Sequence, residues 1–250
     1  MTGYMAYFFL QCLRKVHYFG TTANHELTRD EVFIVGLLMQ LMNAASTNSL
    51  EVGIYRWHAD QAKMEGEVLP VGVSLDPSFA LLNHSCDPNT IRINCNGRSI
   101  LIANRTILEG QEVTVTYYDS YVENESEARR SYLKRKYCFD CQCQPCSDQW
   151  PTKDDIPKSF DDLRENQLLI DFDNTKVLMQ QVQKIQKLGS SISQEQRKGS
   201  YKKAFGLCIE FIKVLEETVK RPHAYYLMAE KSLFKLAWIL HGSAQVGFFE

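Results

Sequence analysis

Cys141, Cys143 and Cys146 stand at C-x-C-x2-C spacing in the run Cys141-Gln142-Cys143-Gln144-Pro145-Cys146, and Cys138 lies three residues upstream. Thiolates packed this closely repel one another and oxidise readily unless something binds them. Zinc takes four soft ligands at about 2.3 Å in a tetrahedron, and short cysteine spacings supply them. The alternative is a run of buried thiols or a disulfide pair, but three thiols so close rarely pack as plain hydrophobes. Spacing alone favours Cys138 as the fourth ligand.

A second group is Asn83-His84-Ser85-Cys86, set between Phe79-Ala80-Leu81-Leu82 and Asp87-Pro88-Asn89. His84 and Cys86 suit a metal pair, a Cys/His catalytic pair, or plain polar loop residues; without context the last reading is preferred. Tyr117 closes the run Glu112-Val113-Thr114-Val115-Thr116-Tyr117. With Tyr118 it reads as a good strand residue, the two rings pointing to opposite faces. Asn43 reads as a helix C-cap.

These groups need elements to hold them. Residues 4–19 read as a helix stopped at Gly20, and Thr28 with Glu31 forms a capping-box pattern opening a second helix through Val32, Val35, Leu38 and Met42. Short strand-like pieces follow at 68–74, 90–94 and 99–103, with Asn96-Gly97 as a hairpin turn between the last two. Gly110 precedes a further strand over 112–117. Residues 125–136 form a short charged helix leading into the cysteines. Beyond Pro151 the strands stop, and 159–188, 201–220 and 223–241 carry helical periodicity, with Pro222 starting the last helix. The helices suggest antiparallel pairs of a tetratricopeptide-like kind, packed on the strand-bearing part.

The 250 residues are 44% hydrophobic and 23% charged, enough for a sizeable core in one moderate domain and a smaller one. A net charge of −2 excludes a global basic field that would hold nucleic acid. The basic run Arg129-Arg130 and Lys134-Arg135-Lys136 reads as a solvated helix face. Eight cysteines gather around one knot rather than spreading as a disulfide framework, which points to a reducing compartment, cytoplasmic or nuclear. The apolar opening 4–10 lacks a basic flank, and 32–42 is too short to span a bilayer, so neither reads as a membrane anchor.

Taken together, Leu81-Leu82-Asn83-His84-Ser85-Cys86-Asp87-Pro88-Asn89, Gly110-Gln111-Glu112 through Tyr117, and Tyr137-Cys138-Phe139-Asp140-Cys141-Gln142-Cys143-Gln144-Pro145-Cys146 resemble the SET-and-MYND-domain family of protein-lysine methyltransferases. The resemblance is specific from 77 to 146, looser from 28 to 76 and weak beyond 160, where the tail looks most like the tetratricopeptide-bearing member. It implies an α+β fold: the C-terminal part of a SET β-fold with a zinc-stapled post-SET segment, followed by an α-helical, tetratricopeptide-like tail. The implied divisions are a helical insert at 1–66, a SET core at 67–119, a post-SET zinc segment at 120–150 and the tail at 151–250. It also implies that Cys86, rather than Cys138, joins Cys141, Cys143 and Cys146 on zinc, leaving Cys138 a buried thiol.

The implied cofactor is S-adenosylmethionine, with Asn43, Asn83, His84, Tyr117, Tyr137 and Phe139 around it and Tyr117 as the catalytic residue. The implied partner is a protein substrate, histone or non-histone, presenting a lysine, with no direct nucleic acid and no membrane. The family's Gly-x-Gly turn and MYND module do not occur in this sequence. The expectation is therefore a truncated C-terminal half, and activity of the chain alone does not follow. A catalytically inactive SET remnant that binds a protein partner is the second reading.

Overall fold

The computed structural model describes residues 2–19, 26–57, 66–95, 98–170 and 175–241. The chain forms two compact units, one of residues 1–51 with 73–80 and the other of 52–72 with 81–250.

In the first unit, α1 (Thr2–Lys15) and α2 (Arg29–Asn48) are the paired helices. Ala6 and Leu10, one turn apart on α1, are its buried residues. The capping box is present as expected. Thr28 Oγ1 accepts from the Glu31 N–H at 3.3 Å, and the Glu31 carboxylate accepts from the Thr28 N–H at 2.9 Å. Arg14 then closes on the same carboxylate with two bonds of 2.6 and 2.8 Å. The first helix ends earlier than expected, at Lys15, and His17 follows at φ 54; Gly20 lies outside the described residues.

The hydrogen bonds from Arg14 and then from the Thr28 N–H hold the Glu31 carboxyl down to about 2. A carboxyl whose folded pKa is depressed contributes stability that is fully present above its unfolded value of about 4.3. That contribution is lost as pH falls from there towards 2. Acid titration followed by circular dichroism will therefore show a helical loss in this window that is smaller in Glu31→Gln, since the variant never had the ionised pair.

The second unit contains the strands β3 (Asn83–His84), β4 (Thr90–Cys95), β5 (Arg98–Ala103) and β6 (Thr114–Val115). Before them come β1 (Ser49–Trp57) and β2 (Gly66–Leu75), which pair with each other. The sequence reading missed β1, in which Leu50, Val52 and Ile54 alternate with Glu51 and Gly53. A side chain at Gly53 would collide with Val68, so close approach of the strands requires glycine there. Strands β4 and β5 form the expected antiparallel hairpin, with Ile91 opposite Ile102 and Ile93 opposite Ile100; the expected Asn96-Gly97 turn lies outside the described residues. Period-2 alternation puts these four isoleucines on one face.

That face packs on helices. The helical region holds α5 (Phe160–Glu165), α6 (Thr175–Arg197), α7 (Tyr201–Thr218) and α8 (Ala224–His241), after α3 (Ser126–Tyr137) and the single turn α4 (Gln144–Ser147). Ile93 shares a buried cluster with Ala237 and Trp238 of α8, and Ile91 and Ile102 pack against the α6–α8 core of Ile185, Cys208, Ile212, Leu215, Leu233 and Leu236. The helix expected over 159–188 is two helices. Its chain turns at Gln167, φ 55, and Leu169 bridges to Val219 instead. The last helix begins at Ala224, two residues beyond Pro222. None of the described helices is long and apolar enough to cross a membrane.

A buried charge group ties this helical region to the loop after His84. Asp87 accepts from Arg105 Nη1 at 2.8 Å and from Arg221 Nη1 at 3.0 Å, while Arg221 Nη2 lies 2.8 Å from Glu230 Oε1. Arg221 also covers the Tyr226 ring at 4.0 Å. Burial pushes the Glu230 carboxyl upward, so Arg221 is what keeps the group balanced. Removing one member of a buried ion group typically costs about 3–5 kcal/mol because its partners are left unpaired. Urea unfolding of Arg221→Met will show a loss of this size, and a variant unfolding at the wild-type midpoint would refute it.

Candidate active site and cysteine cluster

The four sulfurs of Cys86, Cys141, Cys143 and Cys146 lie within 4.8 Å of one another. Cys86 Sγ is 3.6 Å from Cys146 Sγ, and Cys141 Sγ is 3.3 Å from Cys143 Sγ. Tetrahedral sulfurs at about 2.3 Å from a metal are about 3.8 Å apart, so small adjustments close the shell. Disulfide bonds, at about 2.05 Å, are far shorter than any of these separations. The elements explain the gathering. Cys143 caps the α4 turn, Cys146 sits within it, and the Cys86 N–H reaches across to Cys143 Sγ at 3.4 Å. The Cys86 carbonyl takes the Tyr121 N–H at 2.9 Å, which fixes the loop on the same core as Tyr121, Leu133 and Trp150.

Four thiols this close do not share one protonation state. Hydrogen bonding from the Cys141 and then the Cys86 thiol holds Cys143 far below the ordinary thiol range, and the Cys141 thiol is pushed up to about 12 by its bond to Cys143. The donor set is soft, with Cys86, Cys141 and Cys146 buried and Cys143 half-buried, the chemistry of a structural metal site. Cys138 is not part of it. The expectation of a buried thiol is corrected: Cys138 is exposed, in the left-handed conformation at φ 61 that ends α3.

The basic run also departs from its expected role. Arg129 is fully buried rather than solvated, on α3 one turn before the buried Leu133. Its Nη2 lies 3.7 Å from Cys146 Sγ and 3.4 Å from the Pro145 carbonyl, and its Nη1 donates to the carbonyls of Tyr121 and Asn124. Sequence reasoning missed it, although the four-residue spacing of Arg129, Leu133 and Tyr137 marks one helix face.

Beside the sulfurs stands an aromatic group. The ring of Tyr117 is 5.0 Å from that of Tyr137, 5.4 Å from His84 and 6.4 Å, edge-on, from Phe139; His84 and Phe139 are 6.1 Å apart. Parallel pairing of β3 with β6 sets this up, Asn83 opposite Thr114 and His84 opposite Val115. The ladder stops there. Tyr117 and Tyr118 lie in a bend beyond the two-residue strand, which corrects the strand expected through Tyr117. Their rings do diverge, since Tyr118 stacks on Tyr132 at 3.8 Å.

His84 takes over where the ladder ends. Its Nδ1 lies 3.0 Å from the Tyr117 N–H, which can only donate, so Nδ1 is the acceptor and the proton sits on Nε2. Nε2 is 3.3 Å from Cys86 Sγ and so donates to that sulfur. Burial lowers His84 to about 4, in keeping with this neutral form. One imidazole therefore couples the backbone of Tyr117 to the cysteine cluster.

The Tyr117 phenol donates to the Leu82 carbonyl at 2.5 Å, and burial raises its pKa, so it stays protonated. The Tyr137 hydroxyl donates to the Tyr117 carbonyl at 3.3 Å. Asn83 is exposed and its amide donates to Glu112 Oε1 at 2.5 Å. Glu112 and the Leu82 carbonyl are partners that the sequence reading did not single out. Asn43 lies in the other compact unit, inside α2 rather than at its cap. Its carbonyl there accepts from the Ser46 and Thr47 hydroxyls at 3.1 Å.

Residues 12–118 match the SET domain family. Histone-lysine N-methyltransferase SMYD3 of Mus musculus is 48% identical over 84 residues, 33% of this chain and 19% of that protein. Histone-lysine N-methyltransferase SMYD1 of Homo sapiens is 29% identical over 192 residues, 72% of this chain and 37% of that protein. N-lysine methyltransferase SMYD2-B of Danio rerio is 34% identical over 95 residues, 36% of this chain and 20% of that protein. The chain thus spans about a fifth to two fifths of the length of these relatives. It carries a SET domain followed by a helical region, with relatives among the SET-and-MYND lysine methyltransferases.

Proposed function

We propose that this chain is part of a protein-lysine N-methyltransferase that uses S-adenosylmethionine, with zinc held by Cys86, Cys141, Cys143 and Cys146. The observation that carries the reading is the joining of two groups far apart in sequence. The Tyr117 bend and the Asn83–His84 strand, inside the segment that matches the SET domain, converge with the Tyr137–Phe139 segment beside a four-sulfur cluster just beyond it. The cofactor supplies a methyl group activated on a cationic sulfur. What the chain contributes is shape and fixed dipoles.

Phe139 and Tyr137 offer apolar ring faces for a planar base. Asn83 stands exposed on its short strand, and the loop that follows it is held through Cys86 and Asp87. Tyr117 spends its proton on the Leu82 carbonyl, so its oxygen lone pairs are free to accept from an incoming amine. Orienting an amine in line with the bond that breaks is the main service such a site can give. A neutral amine is needed for that attack, and a nearby cation disfavours the protonated form. The segments 1–66, 67–119, 120–150 and 151–250 are proposed as helical insert, SET core, post-SET segment and helical tail. A protein lysine is the proposed substrate, in a cytoplasmic or nuclear setting where thiols stay reduced.

The second reading is a SET remnant that binds a protein without catalysis. Calorimetric titration of S-adenosylmethionine into the chain separates the two. The methyltransferase reading expects binding that Phe139→Ala weakens about fivefold or more, since stacking on a base is worth about 1–3 kcal/mol. No binding by wild type would leave the binding-module reading.

A further inference from the structure

Arg129 is a fully buried cation with no carboxylate partner among the described residues. Its neighbours are three backbone carbonyls and the sulfur of Cys146, and its Nε has no hydrogen-bond partner. An isolated buried charge is far more expensive than a paired one, so a guanidinium in this position needs an anion. Carbonyl dipoles do not supply one. The sulfur cluster does, because four thiolates around a divalent ion carry a net charge of −2. Three of its four cysteines, Cys86, Cys141 and Cys146, are buried, and Cys143 is half-buried.

We propose that Arg129 is the resident counter-charge of the metal-loaded cysteine cluster and so sets how tightly the metal is held. The α3 helix delivers it. Arg129 and Leu133 share the buried face, and the guanidinium fork spans the Asn124 carbonyl before the helix and the Pro145–Cys146 turn beyond it. This tethering also fixes the turn that carries two of the sulfurs. Partners behind a metal's ligands commonly set affinity by about 10–100-fold, through charge and through orientation. The inference rests on the zinc reading of the four cysteines and is independent of methyl transfer.

The test is competition of the chain with a chromophoric chelator for zinc and for cobalt, under reducing conditions, in wild type, Arg129→Met and Arg129→Lys. Cobalt adds the sulfur-to-metal absorption that reports thiolate ligation. Arg129→Met is expected to bind either metal about 10–100-fold more weakly, and Arg129→Lys, which keeps the charge, to recover most of that loss. Equal affinity in wild type and Arg129→Met would overturn the proposal while leaving the zinc site standing. Lysine no better than methionine would overturn it too, since charge would not be the determinant. A wild-type chain that takes up no metal would remove both the zinc reading and this one. Should Arg129→Met not fold, the side-chain N–H resonances of Arg129 in the wild-type chain decide. They are expected to shift and exchange more slowly on metal loading, and unchanged signals would refute the counter-charge.

Discussion

Cys86→Ser will strip the chain of its metal, whereas Cys138→Ser will leave one zinc per chain. Spacing alone predicts the opposite, because Cys138 is three residues from Cys141 and Cys86 is 55 away. Geometry separates them. Cys86 Sγ lies 3.6 Å from Cys146 Sγ in the buried core, while Cys138 is exposed at the end of α3. Structural zinc can contribute about 10–16 kcal/mol to folding, so loss of one ligand is among the most damaging changes available. It also releases the loop carrying Asn83 and His84, since Cys86 joins that loop to the α4 turn. Metal analysis of the purified proteins and their thermal unfolding with and without chelator measure this. Cys86→Ser should unfold at the temperature of the chelator-treated wild type. Zinc retained in Cys86→Ser but lost in Cys138→Ser would reverse the assignment.

Much of this arrangement is legible in the sequence where the cause is local. The Thr28–Glu31 box, the β4–β5 hairpin and the helical periodicity beyond Pro151 all depend on neighbours within a few residues, and the structure follows them. The three clustered cysteines declare themselves for the same reason. Non-local causes are harder to see. Tyr117 belongs to no strand because β3 is only two residues long, and the His84 ring then takes the N–H that a strand partner would have taken. Arg129 looks like one charge in a solvated basic run, and only the burial of that helix face on the cysteine core shows otherwise. Arg221 and Asp87 meet across 134 residues, a pairing that no local pattern announces. The catalytic and ligand roles themselves came through resemblance to the SET-and-MYND family rather than through composition or spacing.

Tyr117→Phe is the sharper test of function. The substitution keeps the ring, and with it the contacts to Tyr137, His84 and Phe139. It removes only the hydroxyl that donates to the Leu82 carbonyl. Stability should change by no more than a typical hydrogen bond, about 1 kcal/mol. Methyl transfer should fall about a hundredfold or more, as it does when an orienting dipole is lost or a reacting group is misplaced by about 1 Å. Radiolabelled methyl incorporation from S-adenosylmethionine into a protein mixture gives the rate. It is measured for the chain extended upstream through a Gly-x-Gly segment, with and without Tyr117→Phe. The account predicts label on lysine that depends on the Tyr117 hydroxyl. Full incorporation by Tyr117→Phe, or none by the unmutated protein despite bound cofactor and zinc, would contradict it.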